Sequence, residues 1–108
     1  MSASTVGYAR VSTREQAEEG YGIEDQVNRL EKLGEEEDYD LADIVRDEGK
    51  SGTDLDREGL QKVLNLARGG EIDYIAVVRL DRLSRDMLDT FHLLWILRKH
   101  GIKVVMPK

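Results

Sequence analysis

Ser12 is the residue whose setting invites chemistry. The run from Thr5 to Val11 is rich in β-branched and aromatic side chains and favours an extended, half-buried backbone. Ser12 follows it and opens Ser12-Thr13-Arg14-Glu15, a Ser-x-x-Glu spacing that suits a helix N-cap with a reciprocal glutamate. Arg10 lies two residues earlier, and positions two apart on a strand share a face. A hydroxyl and a guanidinium can therefore approach one point, where an anion could be held and attacked. The plainer alternative is that Ser12 only caps a helix and Arg10 is an edge charge. What separates the two is whether other parts of the chain send cations to the same place.

They do, if the chain folds as its pattern predicts. Ala17 to Gly22 reads as a polar loop. Ile23, Val27, Leu30 and Leu33 recur at helical spacing, with an end expected near Gly34. Leu41 to Arg46 reads as a short second strand, and Asp47 to Asp56 as a loop with two glycines. Asp56 can cap a helix whose apolar face is Leu60, Val63, Leu64 and Ala67, ended by Gly69-Gly70. Asp73 to Leu80 contains an apolar run suited to a buried central strand. Asp81 to Arg85 is a polar turn, and Ser84 can cap a helix running to His100. Ile102 to Met106 completes the pattern as a fourth strand.

Strands alternating with helices imply an α/β fold with a mainly parallel sheet and right-handed crossovers. The expected architecture is a flavodoxin-like three-layer sandwich, with four strands in the order 2-1-3-4. In such sheets ligands bind beyond the carboxyl ends of the strands, where the winding reverses. Here that point lies between strands one and three. Arg10 and Ser12 end the first strand, Asp47 the second, and Arg79, Asp81, Arg82 and Arg85 the third.

A serine among arginines suits phosphoryl transfer. Guanidinium donors match a phosphate edge and stabilise charge as it redistributes. The serine would be a covalent nucleophile, and aspartates nearby could orient the arginines or assist proton transfer. No residue stands out as a general base. The two histidines, His92 and His100, have no partner at metal-ligand spacing and read as helix-surface residues. Gly49-Lys50-Ser51-Gly52 lacks the earlier glycine of a P-loop and reads as a loop able to approach a phosphate.

With 108 residues the chain is long enough for one domain and not two. No apolar run approaches a bilayer-spanning length. Cysteine is absent, which excludes disulfides and cysteine-ligated zinc here and fits an intracellular protein. The net charge of −6 argues against a surface that wraps nucleic acid by itself. Acid clusters at Glu35-Glu36-Glu37-Asp38, expected as a solvated helix end. Met87, Leu88, Phe91, Leu94, Trp95 and Leu97 cover most of the last helix. A deeply buried helix is the simplest reading of that pattern; the alternative is that Phe91 or Trp95 meets another chain or a further segment.

Several separated motifs, kept in order, resemble one family. Tyr8-Ala-Arg10-Val-Ser12-Thr13, then Gln26, Asp47, Gly49, Ser51-Gly52, Asp56-Arg57-Glu-Gly59-Leu60 and Leu80-Asp81-Arg82-Leu83-Ser84-Arg85 resemble the serine recombinase (resolvase/invertase) catalytic domain. The resemblance spans almost the whole of residues 1–108. It implies a nucleophile at Ser12, phosphate-binding and activating arginines at Arg10, Arg57, Arg82 and Arg85, and supporting polar residues at Gln26, Asp47 and Asp81. It implies site-specific DNA strand exchange through a 5′-phosphoserine link, with no metal or high-energy cofactor. It also implies homodimers that pair into a tetramer on two DNA sites, in the cytoplasm of a prokaryote or encoded by a phage or mobile element, with no membrane. The spacer from Ala17 to Asp25 resembles large serine integrases and transposon recombinases more than short resolvases. Family members continue into another strand, a long dimer helix and a DNA-binding region, so this chain is expected to be a fragment whose basic DNA surface lies elsewhere. Two rivals carry different expectations. A non-enzymatic signalling domain would use Asp47 as a receiver carboxylate and needs acids at the first strand's end; a catalytically silent interaction module makes no demand on Ser12.

Overall fold

The computed structural model of the chain describes residues 3–11, 22–48 and 57–107. Strand β1 (Ala3–Val11) leads to helix α1 (Ile23–Glu36), strand β2 (Tyr39–Glu48), helix α2 (Glu58–Arg68), strand β3 (Tyr74–Ala76), a 3₁₀ turn (Leu80–Arg82), helix α3 (Met87–Lys99) and strand β4 (Lys103–Val105). The sheet is fully parallel in the order β2-β1-β3-β4. This is the expected topology, with β1 and β3 adjacent at the centre. The 17–22 loop falls almost wholly outside the described residues, as do Ser12 and 49–56.

Helix α1 packs on one face of the sheet and α2 with α3 on the other. The even residues of β1, Val6 and Tyr8, join the core with Leu60, Val63, Leu64, Leu93 and Leu97. The odd residues Ala9 and Val11 pack with Ile23. Gly7 belongs to that side too: a Cβ there would lie 3.1 Å from Ile44 and 3.2 Å from Leu30, so its absence lets α1 sit close on the strand.

A bulge in β2 decides which face its side chains serve. Thr5 pairs with Leu41 but Val6 pairs with Asp43, so Ala42 is the extra residue. One added residue exchanges the two faces of a strand. Before it, Leu41 lies against Gly34 of α1. After it, Val45 joins the α2–α3 core and Asp47 is buried there as well.

Several boundaries differ from the sequence pattern, each for a tertiary reason. Helix α1 passes Gly34 to end at Glu36, closed by the Glu37 amide on the Leu33 carbonyl. Its last turn carries no base, so Glu35 and Glu36 face the negative end of the helix dipole from solvent. Asp38 then takes φ 54°, and the chain turns directly into β2. Strand β2 is longer than expected, because Asp47 and Glu48 still pair with Arg10 and Val11; Asp47 is thus strand, not loop. Strand β3 is shorter than expected, three residues long. The N-cap of α2 is Arg57 and has no side-chain cap of its own. Helix α3 starts at Met87, capped by Asp86, whose Oδ1 accepts from Leu88 N (2.9 Å) and Asp89 N (3.1 Å). Ser84, expected as that cap, is buried instead, and its Oγ accepts from Asp86 N.

Helix α3 is not deeply buried. Leu93 and Leu97 face the core, but Met87, Leu88, Phe91 and Trp95 are between 60% (Trp95) and 78% (Leu88) exposed. The apolar girdle therefore splits into a packed side and an open side.

Candidate active site at the carboxyl ends of the strands

The site grows from the end of β1. The β1–β3 ladder stops at the Gly7–Ala76 pair. Three residues on, side chains replace strand partners for Arg10: its amide donates to Gln26 Oε1 (3.1 Å), and its carbonyl accepts from Gln26 Nε2 (2.9 Å) and Arg82 Nη1 (2.9 Å). Gln26 is thereby a pin between α1 and β1, buried because a strand edge needs its amide.

The Arg10 guanidinium turns toward the segment after β3. Its Nε donates to the Arg82 carbonyl (3.0 Å) and its Nη2 to the Asp81 carbonyl (2.9 Å). Arg57, at the start of α2, reaches the same segment: Nη1 donates to the Arg82 carbonyl (3.2 Å) and Nη2 to the Leu83 carbonyl. Arg10, Arg57 and Arg82 are 0%, 1% and 2% exposed. Two buried guanidiniums thus hold the carbonyls of residues 81–83, while Arg82 ties back to β1. Burial and carbonyl bonding of these guanidiniums shape the turn itself.

Carboxylates complete the network. Asp81 Oδ1 accepts from Arg82 Nε (3.0 Å), and Oδ2 pairs with Arg79. Burial pushes the Asp81 carboxyl upward, but hydrogen bonding and attraction to Arg82, then Arg79, outweigh it and hold the group below its ordinary value. Asp47 is linked to Arg57 through Tyr8. The Tyr8 hydroxyl donates to Asp47 Oδ2 (2.7 Å) and accepts from Arg57 Nη1 (2.9 Å). Asp47 also accepts the Gly59 amide on Oδ1 (2.8 Å) and the Leu60 amide on Oδ2 (3.0 Å). A strand residue therefore caps α2; Asp56, the cap expected from its place before the helix, lies outside the described residues.

The Gly59 position exists for this carboxylate. A Cβ there would lie 2.7 Å from Asp47 Oδ1 and 2.8 Å from its Cγ and Oδ2. Alanine in a helix is ordinarily favoured over glycine by about 1 kcal/mol. Here the sign should reverse. Gly59→Ala should destabilise by roughly 1–3 kcal/mol, since the carboxylate is held by three donors and cannot yield cheaply. Urea denaturation gives the answer directly.

Six of the sequence-derived residues meet in this one network: Arg10, Gln26, Asp47, Arg57, Asp81 and Arg82. Arg85 is exposed, three residues beyond Arg82. Ser12 lies outside the described residues, the second residue after Arg10. Tyr8 was quoted in the motif but assigned no part. Its signal was available, because it shares a strand face with Arg10 and a buried phenol needs a hydroxyl partner. His92 and His100 are exposed, and among the described residues no group of three His, Cys, Asp or Glu side chains could hold a metal.

Tyr8 offers a pH readout. Burial first, then the Asp47 hydrogen bond, drive its hydroxyl far above the ordinary tyrosine value, against the opposing pull of Arg57. The folded state thus keeps a proton that the unfolded state loses above about pH 10. Its contribution to stability is complete below that pH and declines above it. Against the parent, Tyr8→Phe should flatten the alkaline fall in urea stability. An equal fall in both chains would remove Tyr8 as its source.

Comparison with known proteins bears on the same residues. Residues 5–108 match the family described as "Resolvase, N terminal domain". The chain belongs to this family of serine recombinase catalytic domains. The resolvase-family domain is 38% identical over 97 residues to the transposon Tn552 resolvase of Staphylococcus aureus, covering 90% of this chain and 42% of that protein. It is 36% identical over 97 residues to a DNA-invertase of Enterobacteria phage P7, covering 90% of this chain and 45% of the relative. Among solved structures it resembles the N-terminal catalytic domain of TP901-1 integrase, with a TM-score of 0.87, 37% identity, and 94% and 76% of the two chains covered. The chain spans less than half the length of these two curated relatives. No helix among its described residues is long and apolar enough to cross a membrane.

Proposed function

We propose that this domain catalyses DNA strand cleavage and rejoining in site-specific recombination, with Ser12 as nucleophile. The observation that carries it is the network above: arginines from the ends of β1 and β3 and the start of α2 converge beside the residue pair that precedes Ser12. In the proposed step the Ser12 oxygen bonds to a backbone phosphorus and the bond to the 3′ oxygen breaks. The serine proton passes to a base, and the departing oxygen takes up a proton to become a 3′-hydroxyl. The phosphoserine link keeps the phosphodiester, so a hydroxyl from a new partner strand can reverse the step without a metal or energy-rich cofactor.

In this reading Arg10, Gln26, Arg57, Arg82 and Asp81 set the shape of the loop that faces the phosphate, and Arg85 offers an exposed guanidinium to it. Asp47 supports Arg57 through Tyr8. A receiver-type signalling role is disfavoured, because the Asp47 carboxylate is buried and committed to two helix amides and a phenol. The substrate is DNA, bound largely by parts of the protein outside this acidic domain. The open face of α3 supports association with further copies, as dimers and tetramers, since large contiguous apolar surfaces mark contacts. The likeness to TP901-1 integrase favours an integrase-type role.

The test is an adduct. The complete protein carrying this domain, incubated with DNA from the ends of the element that encodes it and then denatured, should carry DNA on the peptide containing Ser12. Mass spectrometry locates the link; attachment to another side chain would refute the assignment.

A further inference from the structure

Arg79 has no assigned part in this site, and its surroundings give it one. It stands where the chain leaves β3, in extended conformation immediately before the 3₁₀ turn. Its side chain is 58% exposed, whereas Arg82 is turned inward. Between them sits the Asp81 carboxylate, one oxygen on Arg79 and the other on Arg82. Residues 79–85 carry three arginines and one aspartate in a chain of net charge −6, so this short segment is a local island of positive charge.

We propose that Arg79 is a DNA-phosphate contact whose anion position is held by Asp81 until DNA arrives. This rests on the recombinase reading above. The exchange is chemically balanced: no covalent bond changes, and a phosphate oxygen replaces a carboxylate oxygen on the Arg79 guanidinium. Asp81 is not stranded by the swap, since it keeps the Arg82 bond on its other oxygen and is partly open to water. Arg82 stays fixed by the Arg10 carbonyl, so the turn keeps its shape while Arg79 alone moves. A guanidinium suits the task because its planar fork meets carboxylate and phosphate with the same geometry. The position also fits the fold, since the carboxyl end of β3 borders the crevice where such sheets bind ligands.

The experiment measures binding of the complete protein, carrying Ser12→Ala to prevent cleavage, to duplex DNA of arbitrary sequence over a series of salt concentrations. Each phosphate contact contributes about 0.9 to the slope of log affinity against log salt. Arg79→Gln should therefore lower the slope by about 1 and weaken binding about equally on all sequences. Arg79→Lys should retain the slope. Arg68→Gln should leave both quantities unchanged, because that exposed arginine ends α2 near the amino ends of the strands, away from the carboxyl end of β3. A slope and affinity unaltered by Arg79→Gln, in a protein whose parent forms the Ser12 adduct, would overturn this inference alone. A parent that neither binds DNA nor forms the adduct would overturn the recombinase reading and this inference with it.

Discussion

Ser12→Ala in the complete protein should abolish covalent attachment to DNA and reduce strand cleavage by on the order of 10⁴-fold or more, while binding persists. Removing a covalent nucleophile deletes the two-step path itself, not one of its supports. The remaining arginines can still position a phosphate, but water would then have to attack a diester that resists hydrolysis. The substitution should not act through folding. Loss of a serine cap costs about 1 kcal/mol, against a domain stability of about 5–15 kcal/mol. Thermal denaturation and salt-dependent DNA binding should therefore match the parent closely. Persistence of a covalent protein–DNA species in the variant would show that another residue attacks.

Asp47→Ala should have the largest effect on stability, about 3–5 kcal/mol by urea denaturation, because it orphans several buried partners at once. The Tyr8 hydroxyl loses its acceptor, the Gly59 and Leu60 amides lose theirs, and Arg57 loses the nearby negative charge. Each buried group left unsatisfied costs about 1–3 kcal/mol. Tyr8→Phe should cost less, since it leaves both helix amides capped. The two substitutions should be non-additive by about 0.5–3 kcal/mol in a double-mutant cycle, as expected of residues sharing one hydrogen bond. A loss below about 1 kcal/mol for Asp47→Ala would mean that the capping geometry contributes little.

These expectations differ in origin. Spacing singled out Arg10 and Ser12, of which Ser12 lies outside the described residues, and motifs in a kept order singled out the other candidate site residues. The arrangement of the guanidiniums was not. Nothing in Arg10-Val11-Ser12 says that the Arg10 side chain will grasp carbonyls more than seventy positions away. Likewise Ser84 and Asp86 are both acceptable local caps for α3. The choice falls on Asp86 because Ser84 is buried, with its carbonyl accepting from Thr90 Oγ1. No local spacing announces that Asp47 takes the Gly59 and Leu60 amides of α2; it does so because β2 carries it to them.

By itself, the sequence determined the alternation of strands and helices, the parallel sheet order and the residue types available for phosphoryl transfer. Those follow from local periodicity and from right-handed crossovers, which act over short stretches of chain. Only the tertiary structure decided which face of β2 carries Asp47, through one bulged residue, and which side of α3 is open. It also decided that Arg10, Arg57 and Arg82 bind backbone carbonyls. These outcomes depend on distances between segments remote in sequence, where burial leaves each polar group few partners and the nearest satisfied arrangement prevails.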